Sequence, residues 1–95
     1  QPSEIFTLRI KRFYLTEIRL GRKSVEYRDF KPFYRRLGSG SIQYIRLHYQ
    51  AAERLIVEVK KIEIIRTPIF ERNDTPMGDR VYAIYLGRIV EHIPA

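Results

Sequence analysis

Apolar and polar positions alternate at the start of the chain, with Phe6, Leu8 and Ile10 set against Thr7 and Arg9. A two-residue period of this kind predicts a half-buried strand. The period then changes. Phe13, Tyr14, Leu15 and Ile18 fall near helical spacing, and Gly21 stands where a left-handed C-cap would end the helix. A short helix over residues 12–20 is the expectation. Ser24 to Asp29 returns to extended chain, with Val25 and Tyr27 as the natural core face and Ser24, Glu26 and Arg28 on the other. Phe30 to Leu37 holds Pro32 among bulky residues, which predicts an irregular or one-turn helical connection before the Gly38-Ser39-Gly40-Ser41 turn.

Ile42 to Tyr49 reads as a strand with Ile45, Leu47 and Tyr49 on one face. Arg54 to Ile65 is the longest strand signal. Its apolar register runs odd at Leu55, Val57 and Val59, then even at Ile62 and Ile64, so a β-bulge or sharp bend is expected near Lys60-Lys61. Pro68, Asn73, Asp74, Pro76 and Gly78 predict a loop over residues 66–79. Arg80 to Leu86 is a further strand, and Gly87 permits a bend before a last one from Arg88 to Ile93. One helix with five or six strands in 95 residues predicts a single α+β domain over residues 1–95, built as a small mixed barrel.

Composition narrows the chemistry. The chain has no Cys, which excludes a disulfide scaffold, a thiol nucleophile and any Cys-ligated metal. It suits a reducing compartment, and a cytoplasmic protein is the expectation. Apolar runs such as Ala83 to Leu86 fall far short of the roughly 20 residues that span a bilayer. No secretory signal is apparent, and the start at Gln1 is that expected of a trimmed chain. His48 and His92 lie far apart with no second ligand at metal spacing, so neither a metal nor a cofactor is expected. Gly38-Ser39-Gly40 lacks the Lys-Ser/Thr of a phosphate loop and reads as a turn.

Charge points to a partner. Eighteen Lys and Arg against eleven Asp and Glu give a net charge of +7. Residues 9–36 hold ten of the basic residues and three acids, so this segment alone carries the excess. A local positive field concentrates polyanions, of which nucleic acid is the commonest.

Within that segment stands Gly21-Arg22-Lys23-Ser24-Val25-Glu26-Tyr27-Arg28. A capped helix delivers Lys23 at the corner before a strand whose polar face bears Ser24, Glu26 and Arg28. If that face lines a barrel mouth, Glu26 must be paired or pay a large desolvation cost. By spacing alone, a surface Glu26–Arg28 or Glu26–Lys23 pair of little worth is the plainer reading. The run from Phe6 to Arg28 resembles the ASCH domain family of PUA-like barrels. The likeness rests on Leu8-Arg9-Ile10-Lys11, then Phe13-Tyr14 and Ile18, then Gly21, Lys23, Glu26 and Arg28 as Gly-x-Lys-x-x-Glu-x-Arg. It implies a pseudo-β-barrel of five to six strands with one or two short helices, whose motif lines a positively charged cleft for RNA or a nucleotide. Some members resemble amidohydrolases of acylated cytidine, in which the motif Lys activates a Thr three residues on. Lys23 matches that Lys, Glu26 occupies the Thr position, and Glu71 is the nearest match for the assisting Glu.

Three functions follow as expectations. The first is an RNA- or nucleotide-binding domain with Lys23, Glu26, Arg28, Tyr34, Arg35 and Arg36 as its ligand-binding residues. Lys23 and Arg28 would meet phosphate or a base edge, and Glu26 an exocyclic amine or Arg28 itself. Phe33 and Tyr34 would stack on bases, while Phe13 and Tyr27 fill the core. The second is a hydrolase of a modified nucleoside or RNA, amidohydrolase-like or a nuclease, with Lys23 and Glu26 in acid–base roles. The third is a regulatory module that binds an acidic protein through its basic face.

Overall fold

The computed structural model describes residues 4–50, 53–66 and 79–94. Its elements are β1 (Glu4–Arg9), α1 (Arg12–Arg19), β2 (Val25–Asp29), a 3-10 helix (Pro32–Gly38), β3 (Ile42–Tyr49), β4 (Glu53–Arg66) and β5 (Arg80–Ile93). The five strands form one mixed sheet in the order β1-β3-β4-β5-β2. β1 runs parallel to β3, and the other neighbours are antiparallel. β1 and β2 are therefore both edges, and no ladder joins them. The expected barrel is, in its backbone hydrogen bonding, an open five-stranded sheet.

β4 and β5 supply the longest pairing, and its irregularities fall between Ile56 and Lys61. Val59 pairs with Leu86 and Lys61 with Tyr85, so Lys60 is the extra residue of a bulge. This is the switch that the apolar pattern of β4 requires. Leu55 and Val57 are fully buried before it, and Ile62 packs against the core after it. Ile64, further along, is exposed. Gly87 does not end a strand. β5 runs unbroken from Arg80 to Ile93, and its mismatch with β4 is absorbed as register shifts on either side of the Val57–Ile89 pair. A Cβ at Gly87 would sit 3.4 Å from the side chains of Glu58 and Lys60, a snug but ordinary contact, so nothing at this position forces a bend.

The core joins Phe6, Leu8 and Ile10 from the β1 side to Ile45 and Leu47 of β3, Leu55 and Val57 of β4, and Ile84 of β5. α1 adds Leu15 and Ile18, both buried. An eight-residue helix has room for only that narrow stripe, and Phe13 is left outside it at 66% exposure. Phe13 thus corrects the expectation that it fills the core. The 3-10 helix starts at Pro32, whose missing N–H suits a first position, and it buries Leu37. Among the described residues, no helix is long and apolar enough to cross a membrane.

α1 has no side-chain N-cap, so its definition comes from its other end. The Gly21 N–H donates to Ile18 O (3.1 Å) and the Arg22 N–H to Glu17 O (2.8 Å), the paired bonds of a Schellman turn. Gly21 takes φ +79° there, and open space surrounds the position of a would-be Cβ. Gly21→Ala should therefore cost about 1–2 kcal/mol through backbone strain alone. A urea midpoint measurement checks it; an unchanged midpoint would show that this turn does not hold the helix end.

Candidate nucleic-acid interface

Residues directly opposed across a ladder share one face of a sheet. Glu26 lies opposite Ile84 and Arg28 opposite Tyr82, and both partners belong to the core. Glu26 and Arg28 therefore point to the core side of β2, while Val25 and Tyr27 take the other side and are only half-buried. This inverts the expected faces. Glu26 is 7% exposed and is the one buried charged residue among the described residues. The cause is the open edge. β2 has no strand beyond it, so its inward side chains look into the gap toward β1, where polar groups can bridge.

Arg28 makes that bridge. Its Nε donates to Glu26 Oε2 at 2.9 Å, and its Nη2 lies 2.8 Å from the same oxygen. Nη2 also donates to the Arg9 carbonyl on β1 at 2.7 Å, and Nη1 to the Tyr34 hydroxyl on the 3-10 helix at 3.3 Å. One guanidinium thus ties together both sheet edges and the helix between them. Lys23 serves the other carboxylate oxygen: its Nζ is 3.6 Å from Glu26 Oε1 and donates to Val25 O at 2.6 Å. The Schellman turn delivers it, since the Lys23 N–H joins that of Arg22 on Glu17 O. The Nζ also lies 5.1 Å from the Tyr14 ring centroid and 5.8 Å from that of Tyr27. The three charged side chains are 9–16% exposed, so the pairing is not the solvated surface pair that spacing alone suggests.

Aromatic rings flank this triad on both sides. On the Lys23 side, Phe13 meets Tyr14 edge-on at 5.5 Å. On the Arg28 side, Phe33 meets Tyr34 edge-on at 4.9 Å and is 74% exposed. Lys31 Nζ lies 5.8 Å from the Tyr34 ring. Four of the six expected site residues (Lys23, Glu26, Arg28 and Tyr34) are therefore in one connected group. Arg35 is exposed, and among the described residues its guanidinium hydrogen-bonds Pro32 O, at 3.5 Å. Arg36 is turned away: it pairs with Glu4 at 2.6 Å and lies over the Phe6 ring.

Next to the triad, a cleft of about 470 Å³ opens between the C-terminal end of α1 and residues 86–89 of β5. Arg19, Lys23 and Arg88 line it together with apolar Ile18, Leu86 and Ile89. Among the described residues, Lys23 Nζ hydrogen-bonds no hydroxyl, and no group of three His, Asp or Glu could hold a metal ion. Glu71 and most of the expected loop over residues 66–79 lie outside the described residues. Comparison of the chain with protein-family models, with curated proteins and with solved structures finds no match.

Breaking a buried ion pair leaves its partner charged and unpaired, at a cost of about 3–5 kcal/mol. Arg28→Ala should lower stability by that amount, and Arg28→Lys should not restore it, since an ammonium cannot span three acceptors. Urea unfolding of both variants measures this; a loss within about 1 kcal/mol for Arg28→Ala would show the bridge to be dispensable.

A second prediction concerns acid. Hydrogen bonds from Ser41 and then from Arg36 hold the Glu4 carboxyl below the usual glutamate range, and Arg22 does the same for Glu17. The unfolded chain protonates these groups at the higher, ordinary value, so it binds more protons as acid is added. Their contribution is present at neutral pH and is lost as pH falls through the depressed values. Arg36→Ala should shrink the acid-dependent loss, read from urea midpoints at stepped pH. An unchanged loss would show that Glu4 gains nothing from Arg36.

Proposed function

We propose that this chain is an RNA- or nucleotide-binding domain of ASCH-like type, with a pseudo-barrel closed across β1 and β2 by side chains. The observation that carries the reading is the cationic seam of Lys23, Glu26 and Arg28 flanked by the exposed rings of Phe13 and Phe33. Rings that protrude beside cations offer bases a stacking platform and phosphates a counter-charge. The Arg28–Arg9 bond across the open edges supports the pseudo-barrel.

The residues divide by what they have left to give. Arg28 spends its donors on Glu26, Arg9 and Tyr34, so it is a positioning residue that orients the Tyr34 ring. Lys23 lines the cleft and Arg35 is exposed with a long hydrogen bond to Pro32 O, and these two meet phosphate. A hydrolase is less well supported. Both oxygens of Glu26 are engaged by cations, and nothing nucleophilic is hydrogen-bonded to Lys23 among the described residues.

Fluorescence anisotropy with a labelled oligouridylate tests the reading. Phe33→Ala and Phe13→Ala should each weaken binding by about 1–3 kcal/mol. Arg35→Ala should reduce the log–log salt slope by about 0.7, the share of one single-strand phosphate. Full affinity in both Phe variants would remove the seam from the interface. Turnover of an acylated cytidine that disappears in Lys23→Ala would replace the binding reading with the hydrolase.

A further inference from the structure

The outer face of the sheet carries a basic surface that the window of residues 9–36 does not reveal. Pairing places Arg9 opposite His48, His48 opposite Arg54, and Arg54 opposite Ile93. The next row of the same face runs Thr7, Arg46, Ile56 and Glu91. The residues between them along the strands, Leu8, Leu47 and Leu55, are buried in the core, so these rows face away from it. With strands about 4.8 Å apart, Arg9 and Arg54 lie on the order of 10 Å from each other, with Arg46 one row away.

Three arginines thus gather on one face, and their mutual repulsion is partly screened by salt at this spacing. Elsewhere the chain answers several of its cations with carboxylates, as in Arg22–Glu17, Arg36–Glu4 and Arg88–Glu58. Here it does not. Among the described residues, no carboxylate pairs with Arg9, Arg46 or Arg54; Arg46 donates to the neutral Thr7 hydroxyl at 3.3 Å. His48 donates through Nδ1 to the Gln50 carbonyl (2.9 Å), since a carbonyl can only accept, and so adds no acid to the patch. Arg46 and Arg54 also line a shallow groove of about 170 Å³ with Ile56, Ile93 and Glu91.

We propose that this face is a second binding surface, and that its ligand is the phosphodiester backbone of a nucleic acid. Three guanidinium forks suit phosphate oxygens, and a polyanion repays the mutual repulsion of the arginines. An acidic protein is the poorer fit, because protein partners usually bury an aromatic or aliphatic anchor in a pocket and this face offers only a shallow groove. The surface does not rest on the seam reading. β1 is the border between the two, with the Arg9 carbonyl in the seam and its side chain on the outer face.

The test is anisotropy of the full chain with a labelled oligouridylate over a series of salt concentrations. Arg46→Gln combined with Arg54→Gln should reduce the log–log salt slope by about 1.4, two single-strand phosphates. Glu91→Gln removes the one carboxylate lining the groove and should tighten binding without changing the fold. Phe13→Ala with Phe33→Ala should leave the slope unchanged, so loss of affinity there with a retained slope separates the seam from this face. An unchanged slope in a folded Arg46/Arg54 double variant, or weaker binding by Glu91→Gln, would overturn the proposal. So would tighter binding of a labelled polyglutamate than of the oligouridylate at matched charge, which would assign the face to an acidic protein.

Discussion

The Glu26 carboxylate sits where a sixth strand would be needed to close the sheet. A carboxylate this far from water is costly unless its charge is met and its oxygens accept hydrogen bonds. Arg28 meets both at Oε2, and Lys23 adds a second positive charge 3.6 Å from Oε1. Arg28 then carries the interaction across to Arg9 on the opposite edge and to Tyr34 on the 3-10 helix. One side chain thus contacts two sheet edges that share no ladder. The relative placement of Tyr14, Tyr34 and the rings beyond them depends on that contact.

The geometry upstream of the triad is set by backbone, not by side chains. The left-handed Gly21 ends α1 with the Glu17 and Ile18 carbonyls satisfied, and the same turn aims Lys23 at β2. The short helix has few other ways to be defined, with no N-cap and only Leu15 and Ile18 buried. Downstream, the β4–β5 ribbon carries the sheet's main irregularity. The extra residue at Lys60 lets one strand present Leu55 and Val57 to the core and then Ile62 to it as well, although these positions differ in parity.

The parts legible in the sequence are those that depend on local period. The change from alternation to helical spacing marks α1, and the slip from odd to even in β4 marks the bulge. The Gly-x-Lys-x-x-Glu-x-Arg spacing groups three residues that do converge. What alternation cannot say is which of two faces is inside. Val25 and Tyr27 were the apolar choice for the core, but an edge strand beside an open gap can turn its charges inward when they satisfy one another. Nor does a permissive glycine announce a strand end: Gly87 lies within β5, which runs unbroken from Arg80 to Ile93. Arg9, Arg46 and Arg54 are distant in sequence, so only the register of three strands shows that they are neighbours.

A net charge of +7 is thus a poor guide to where an anion would bind, because eight of the eighteen Lys and Arg already pair with a carboxylate among the described residues. Arg28 and Arg36 are among the better hydrogen-bonded arginines, and that is a reason to assign them to the scaffold. A guanidinium with few or no protein acceptors costs the fold repulsion and returns no internal bond. Arg35 beside Phe33, and Arg9, Arg46 and Arg54 on the outer face, are in that position. Counting the unspent donors of each cation, instead of its charge, divides the basic residues into those that build the domain and those that are left for a partner.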